Sequence, residues 1–456
     1  MWSKMRQSLN NWFFKDQKEI EINGVSEFRN DLETLQNLQR KMISILSCNE
    51  SQIIISNQIT ELFKIFEEIT ISQHFSLYEA FLQIFVHLSI YFNIQETKDE
   101  ESISKRQEIF FTILKELILK HSLKTSVHQS TLFFIFKSNK HFLLFLFEEG
   151  ILDISFLISK ISSLSDKSIF LFFIPEIQKL KPIVYENLKK RFKLTDKIIK
   201  NFYQPSKEKY HEESSQIRRI IHSEEMIAKI IRTDDIHHFI DYISTVENFD
   251  LNCKIKPSFL ENNPDINNEL EGIGLVEYSM IFDSNNIFRY LLLNKVKYYP
   301  NSFQYCIIGN NYEILHIFEE ESKFEFDFTI MYKSIEYYHP EIIEYFSNSK
   351  IFNEKNEFTL SSIIRIFNET TNVEFLFEFL FNNKISELSQ NEENRYFSSP
   401  KRFISSYNIN VIFFDILKSQ QYSFYFLYCF LLQQPNLDIN TKNNILLLQF
   451  IITSCF

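Results

Sequence analysis

Few residues in this chain combine a reactive type with a spacing that chemistry could use. His211-Glu212-Glu213 begins the pattern in which two histidines four apart on a helix share a zinc ion with a glutamate as base, but Ser215 holds the second ligand position. In Asp234-Asp235-Ile236-His237-His238, helical spacing puts Asp234 beside both histidines on one face. An aspartate ahead of a helix is also an ordinary N-cap. The cluster is therefore read as a helix start, and no metal ligand is assigned. Gly272-Ile273-Gly274 has Glu277 where a third phosphate-binding glycine would stand, and no P-loop occurs among five glycines in all. Cys48, Cys253, Cys306, Cys429 and Cys455 are odd in number and far apart, so they read as reduced packing residues. No Ser/His/Asp or Cys/His set has local motif context. The sequence thus assigns no catalytic residue, no cofactor and no metal, and predicts a non-enzymatic protein.

Charge narrows the partner. The 456 residues carry 48 Lys+Arg against 59 Asp+Glu, a formal net charge of −11, whereas a nucleic-acid binder shows a basic excess over its footprint. No nucleic-acid partner is expected. Hydrophobic residues make up 45% and aromatics 16%, so the chain folds with material for one or two cores. Fifty Phe and 21 Tyr stand against two alanines, Ala80 and Ala228. Phe, Tyr, Ile, Asn and Lys share AT-rich codons, so this aromatic excess reads as core filler. No apolar run reaches the roughly 18 residues of a membrane helix, and the N-terminus has no signal-length apolar segment, which makes a cytoplasmic, soluble protein the expectation.

The elements that would carry such residues are helical. Leu32, Leu35, Leu38, Met42 and Leu46 fall at helical spacing, and similar patterns recur through Leu164, with little lasting alternation. Between Lys179 and Lys209 ten Lys/Arg stand against Glu186, Asp196 and Glu208, punctuated by Pro182 and Pro205. That shift places a domain boundary near Pro205, dividing a helical N-terminal region, 1–205, from a second domain, 206–456. The run Lys189-Lys190-Arg191-Phe192-Lys193 could meet phosphate on lipid or RNA, although a solvated helix face is the commoner meaning of such a run.

The second domain repeats internally. Val276 to Leu291 aligns with Phe303 to Phe318 at an offset of 27 without a gap, and Met331 to Phe346 follows at 28. Ser279, Cys306 and Ser334 share a small-residue position; Asn286, Glu313 and Glu341 share the polar position ahead of an apolar pair, which Glu374 repeats 33 residues after Glu341. Each unit reads as a short helix, a polar turn and a second helix.

Leu275 to Val296 resembles the ankyrin unit, in which an inner helix with small residues leads through a tight turn to a leucine-rich outer helix. Leu431 to Asn440 resembles the ankyrin outgoing loop, and Ile230 to Asn252 is similar again. With its Phe-rich amino-terminal helices, the chain resembles an uncharacterised ankyrin-like family expanded in parasitic protists, known chiefly as a domain of unknown function. The resemblance covers roughly residues 226–456, with an insertion near Ser386 to Arg402. It implies an all-α fold in which an ankyrin-like solenoid of degenerate repeats follows the N-terminal helices. Asp283, Asn310 and Tyr338 replace the ankyrin turn glycine, and Tyr338 suits a left-handed backbone poorly, so an irregular junction is expected there.

Solenoid repeats pack on their neighbours and present an extended surface, which implies a scaffold holding a still unidentified protein partner. The contact residues expected on that surface are Glu277, Gln304 and Tyr332 on inner helices and Tyr298 and Tyr299 at the Lys297-Tyr298-Tyr299-Pro300-Asn301 loop. The rivals are a peripheral membrane adaptor using residues 179–209 and an enzyme of unrecognised type.

Overall fold

The structure is a computed structural model that describes residues 17–197, 199, 218, 220–267, 272–320, 328–347, 366 and 369–381. Pro205, the His211 motif, the 386–402 insertion and the Leu431–Asn440 stretch lie outside these residues. Within them the fold is all-α. The helices of the first half are α1 (Gln17–Leu46), α2 (Gln52–Glu68), α3 (Phe75–Tyr91), α4 (Glu100–Leu119), α5 (Leu123–Ser126), α6 (Gln129–Phe136), α7 (Lys140–Glu148), α8 (Ile154–Leu164), α9 (Lys167–Phe172), α10 (Ile174–Leu180) and α11 (Pro182–Arg191). Those that follow are α12 (Met226–Arg232), α13 (Ile236–Thr245), α14 (Leu275–Ile281), α15 (Asn285–Leu293), α16 (Gln304–Ile308), α17 (Tyr312–Glu320), α18 (Phe328–Glu336), α19 (Pro340–Ser347) and α20 (Val373–Phe381). Between α13 and α14 lies an antiparallel pair, β1 (Lys254–Ile255) and β2 (Ile273–Gly274), with Ile255 opposite Ile273. Among the described residues no helix is long and apolar enough to cross a membrane.

The chain divides into two compact units. One takes the described residues of Met1–Leu88, His121–Ser130 and Phe326–Phe456; the other takes those of Ser89–Lys120 and Thr131–Glu325. The first unit is discontinuous in sequence, whereas the 1–205 and 206–456 division is linear.

In the first unit, the α1 stripe of Leu32, Leu35, Leu38 and Met42 is fully buried, and burial of each such side chain contributes about 1.5–3 kcal/mol. Helix α1 packs on α2 and on α20. Arg40 there grips Glu374 with two hydrogen bonds of 2.6 and 2.5 Å. Met331, Ile335, Ile366 and Phe375 form a local core.

The helices of the second unit start where short polar side chains can satisfy free backbone N–H groups. Asp99 closes a capping box with Ser102, Asn139 accepts from His141 N and Phe142 N, and Asp153 and Asp166 cap α8 and α9. Each cap contributes about 1 kcal/mol. Phe fills the interior, as in the Phe111–Phe145 stack with ring centroids 4.9 Å apart.

Helix ends are unusual because glycine is scarce. A helix that ends in a left-handed residue normally uses glycine, as at Gly150 with φ 67°. Here Asp234, Asp283, Asn310 and Tyr338 take φ of 51°, 55°, 51° and 61° at the turns of α12/α13, α14/α15, α16/α17 and α18/α19, and Thr371 takes 50° ahead of α20. All four turns close identically: the left-handed residue donates to the carbonyl three back and its successor to the carbonyl five back, as in Asn310 to Ile307 O at 3.0 Å and Asn311 to Cys306 O at 2.9 Å. Tyr338 obeys the same scheme, with bonds of 3.3 and 2.8 Å, so the expected irregular junction does not occur. Its hydroxyl is held in the interior by Gln39 and His87, and those contacts offset the backbone cost of about 1–2 kcal/mol.

The small-residue position has a fixed place in the turn. Ser279, Cys306 and Ser334 supply the carbonyls that accept the five-back bonds, are fully buried, and turn their own Oγ or Sγ onto a carbonyl in the preceding turn at 2.7–2.9 Å. In the α12/α13 turn the same place is taken by Ile230, whose carbonyl accepts the five-back bond at 3.4 Å, so the bond itself does not demand a small residue. Close approach recurs at Gly309, where a Cβ would stand 2.1 Å from Met280 O.

Candidate functional site

Ties between successive helix pairs form the most regular polar feature. In the second unit, Asp234 accepts from Asn286 N at 3.2 Å, Asn286 Nδ2 at 2.8 Å and Ile287 N at 3.0 Å, which fastens the α12/α13 turn to the start of α15. Ser284 Oγ donates to Ile231 O at 2.5 Å, and Asn311 Nδ2 to Asn285 Oδ1 at 2.8 Å. Arg289 on α15 pairs with Glu313 on α17. In the first unit, Asn372 Nδ2 donates to Ile335 O at 2.9 Å, the same turn-to-turn bond as Ser284 to Ile231. At the polar position, Asn286 thus reaches the neighbouring α12/α13 turn, Glu313 reaches α15 and Glu374 reaches α1, whereas Glu341 lies 3.8 Å from His339 in its own turn.

These bonds settle what the Asp234 cluster does. Asp234 does not cap α13; Asp235 does, accepting from His238 N at 3.0 Å, with His238 Nδ1 at 3.2 Å from its other oxygen. Asp234 turns instead to the next pair. Among the described residues no group of three or more His, Cys, Asp or Glu side chains is placed to hold a metal ion.

The five residues expected as partner contacts fall in both units. Tyr299 is 67% exposed, and its backbone N–H donates to Ser302 Oγ at 3.1 Å. Ser302 in turn donates to Glu277 Oε1 at 2.6 Å, so the half-buried Glu277 braces the loop that presents Tyr299. Tyr298 is half-buried, its ring meeting Phe318 edge-on at 5.2 Å. Gln304 opens α16 directly after the 3-10 turn Pro300–Phe303, half-buried. Tyr332 belongs to the other unit, where it lies against the Met331 core with its hydroxyl 3.3 Å from Glu336.

A buried cluster in the second unit has the geometry of a catalytic triad and was invisible to motif reading. Thr97 Oγ1 stands 2.7 Å from His222 Nε2, and His222 Nδ1 stands 2.6 Å from Glu261 Oε2. Burial pushes the Glu261 carboxyl up, but His222, the Asn263 backbone N–H and Lys140 outweigh it and hold the group below the ordinary carboxylate range. Two facts argue against nucleophilic use. Thr97 Oγ1 also lies 2.6 Å from Ile94 O, an atom that can only accept, so the hydroxyl proton points there and not at the imidazole. The adjoining cavity, lined by Thr97, Arg106, His141, His222 and Glu261 among others, measures about 30 Å³, room for a water and not a substrate.

What the cluster does is join segments. Lys140 donates to Glu261 O at 2.8 Å, Asn262 Nδ2 lies 2.9 Å from His141 Nδ1, and His141 Nε2 lies 3.0 Å from Ile220 O. Burial lowers the His141 pKa to about 4, leaving a neutral ring at neutral pH. Thr97, His222 and Glu261 are separated by 125 and 39 residues, so no spacing rule could have found them. The turn-forming run Glu261-Asn262-Asn263-Pro264 was the available signal.

A wider groove of about 560 Å³ opens beside α4 and α7, lined by Glu108, Phe111, Lys115, His141, Glu148 and Arg218 among others. Arg218 is committed to Glu176 through bonds of 2.8 and 2.7 Å. Comparison with protein-family models, with curated proteins and with solved structures finds no match to this chain.

Proposed function

We propose that this chain is a non-enzymatic scaffold whose helix pairs form an ankyrin-like array that holds a partner protein. The observation that carries the reading is the recurrence of one helix-pair unit between Met226 and Glu320, with the same left-handed turn and closing bonds, and with polar side-chain ties from pair to pair. A surface built this way is rigid along its length and offers equivalent positions at each unit, which suits extended protein contact. Tyr299 is the anchor we assign to it. It is a large side chain, well exposed, on a loop fixed by the Glu277–Ser302 brace, so docking orders little that is not already ordered. The small cavity beside Thr97 and His222 weighs against an enzyme built on that cluster.

The test is proximity labelling in the source cell, comparing the full chain with a Tyr299→Ser chain. Loss of a discrete set of labelled proteins with unchanged abundance and melting of the variant supports the assignment. An identical labelled set for both chains removes Tyr299 from the surface, and the absence of any enriched protein for the full chain removes the scaffold reading itself.

A further inference from the structure

The corner between α10 and α11 exposes six consecutive residues, Gln178-Lys179-Leu180-Lys181-Pro182-Ile183. Leu180 is 48% exposed and Ile183 78%, so two large apolar side chains stand in solvent between lysines. Helical repeat carries Ile183 onto the same stripe as Lys190, about 10 Å along α11. At that far end, Arg191 donates to Ser165 Oγ at 2.6 Å, which sets Leu164, 45% exposed, beside the basic terminus. Lys189 is committed to Asp196 at 2.5 Å, but Lys179, Lys190, Lys193 and Lys197 have no ion pair among the described residues. From Lys179 to Lys197 seven basic residues face two acidic ones, a local excess of five positive charges in a chain of net −11.

Lysines alone read as a solvated face. Exposed leucine and isoleucine among them do not, since water penalises such side chains and a soluble partner's phosphates offer them nothing. An anionic bilayer surface offers both: headgroup phosphates for the lysines and the acyl boundary for the apolar tips. We propose that this corner docks the protein on anionic membrane surfaces, with Leu180 and Ile183 entering the interface and Lys190, Lys193 and Lys197 meeting lipid phosphate. The proposal is independent of the helix-pair surface and its partner.

The experiment is flotation of the full chain with phosphatidylcholine vesicles, with and without phosphatidylserine. Binding is expected only with the anionic lipid and weakens as salt is raised. A Leu180→Ser/Ile183→Ser chain should lose at least about ten-fold in vesicle affinity, and a Lys190→Gln/Lys197→Gln chain about five-fold for each lysine. Thermal melts of both variants should match the parent; if the first melts lower, the charge variant decides alone. Equal binding to neutral vesicles, no binding to either, or affinity unchanged in the folded variants would overturn the proposal. Binding of an RNA homopolymer that survives Leu180→Ser/Ile183→Ser, with no vesicle binding, would assign the face to nucleic acid instead.

Discussion

The Tyr338 hydroxyl lies 3.1 Å from His87 Nδ1, with the two rings edge to face at 5.6 Å, although the residues are 251 positions apart. Gln39 Nε2 approaches the same oxygen at 3.4 Å while donating to Thr371 O at 3.0 Å. A tyrosine in left-handed backbone is thus anchored from its far end. Tyr338→Phe should lower stability by about 1–2 kcal/mol in urea melts, because it leaves buried polar partners unsatisfied. Tyr338→Gly should cost more despite relieving the backbone, since it empties an aromatic site. At Lys295, exposed and at φ 58°, glycine should instead stabilise by about 1 kcal/mol. A stabilising Tyr338→Gly would show that the side chain anchors nothing.

Much of this was legible in the sequence and some was not, for reasons visible at single residues. The buried stripe of α1 and the 27- and 28-residue periods follow from local spacing, which is what a sequence displays. Asp283 and Asn310 could be read as turn residues because short polar side chains tolerate positive φ. Tyr338 could not, since its compensation comes from Gln39 and His87, far away in the chain. The Thr97, His222 and Glu261 cluster was hidden in the same way.

Asp234 should behave as a repeat tie. Asp234→Ala removes an acceptor of three hydrogen bonds and should cost about 1–3 kcal/mol, against about 1 kcal/mol for Asp235→Ala, which removes an N-cap. Chemical denaturation of both variants makes the comparison. A larger loss at Asp235 would mean that the pair-to-pair bonds contribute little.

Stability should fall on mild acidification. Burial lowers the pKa of His141 to about 4, and burial with the nearby Lys333 charge lowers that of His87 to about 3. Both rings are neutral in the folded chain but take up a proton below about pH 6.5 once unfolded. Unfolding therefore binds protons in that window, so the contribution is full above about pH 6.5 and lost as pH falls toward the folded values. Glu261, held below the ordinary carboxylate range, acts in the same direction at lower pH: its contribution is present above about 4.5 and lost as pH falls through its folded value. Urea midpoints at pH 7 and 5.5 should reveal a loss of about 1 kcal/mol for each histidine. A flat profile would mean that these rings are not buried as neutral bases.

Tyr298 and Tyr299 should separate under mutation. Tyr298→Ser strips a ring from Phe318 and should lower stability by about 1–2 kcal/mol, whereas Tyr299→Ser should stay within about 0.5 kcal/mol of the parent. Melting temperatures of the two single variants check this. Equal losses would mean that Tyr299 is a packing residue.

The Arg40–Glu374 clamp has a consequence for synthesis on the ribosome. Its two ends are 334 residues apart, and translation at about 5–20 residues per second separates their emergence by about 17–70 seconds. Throughout that interval α1 has been translated but α20, on which it packs, has not. Helix α1 must therefore wait for that partner, and its nascent form is the species on which a chaperone would act.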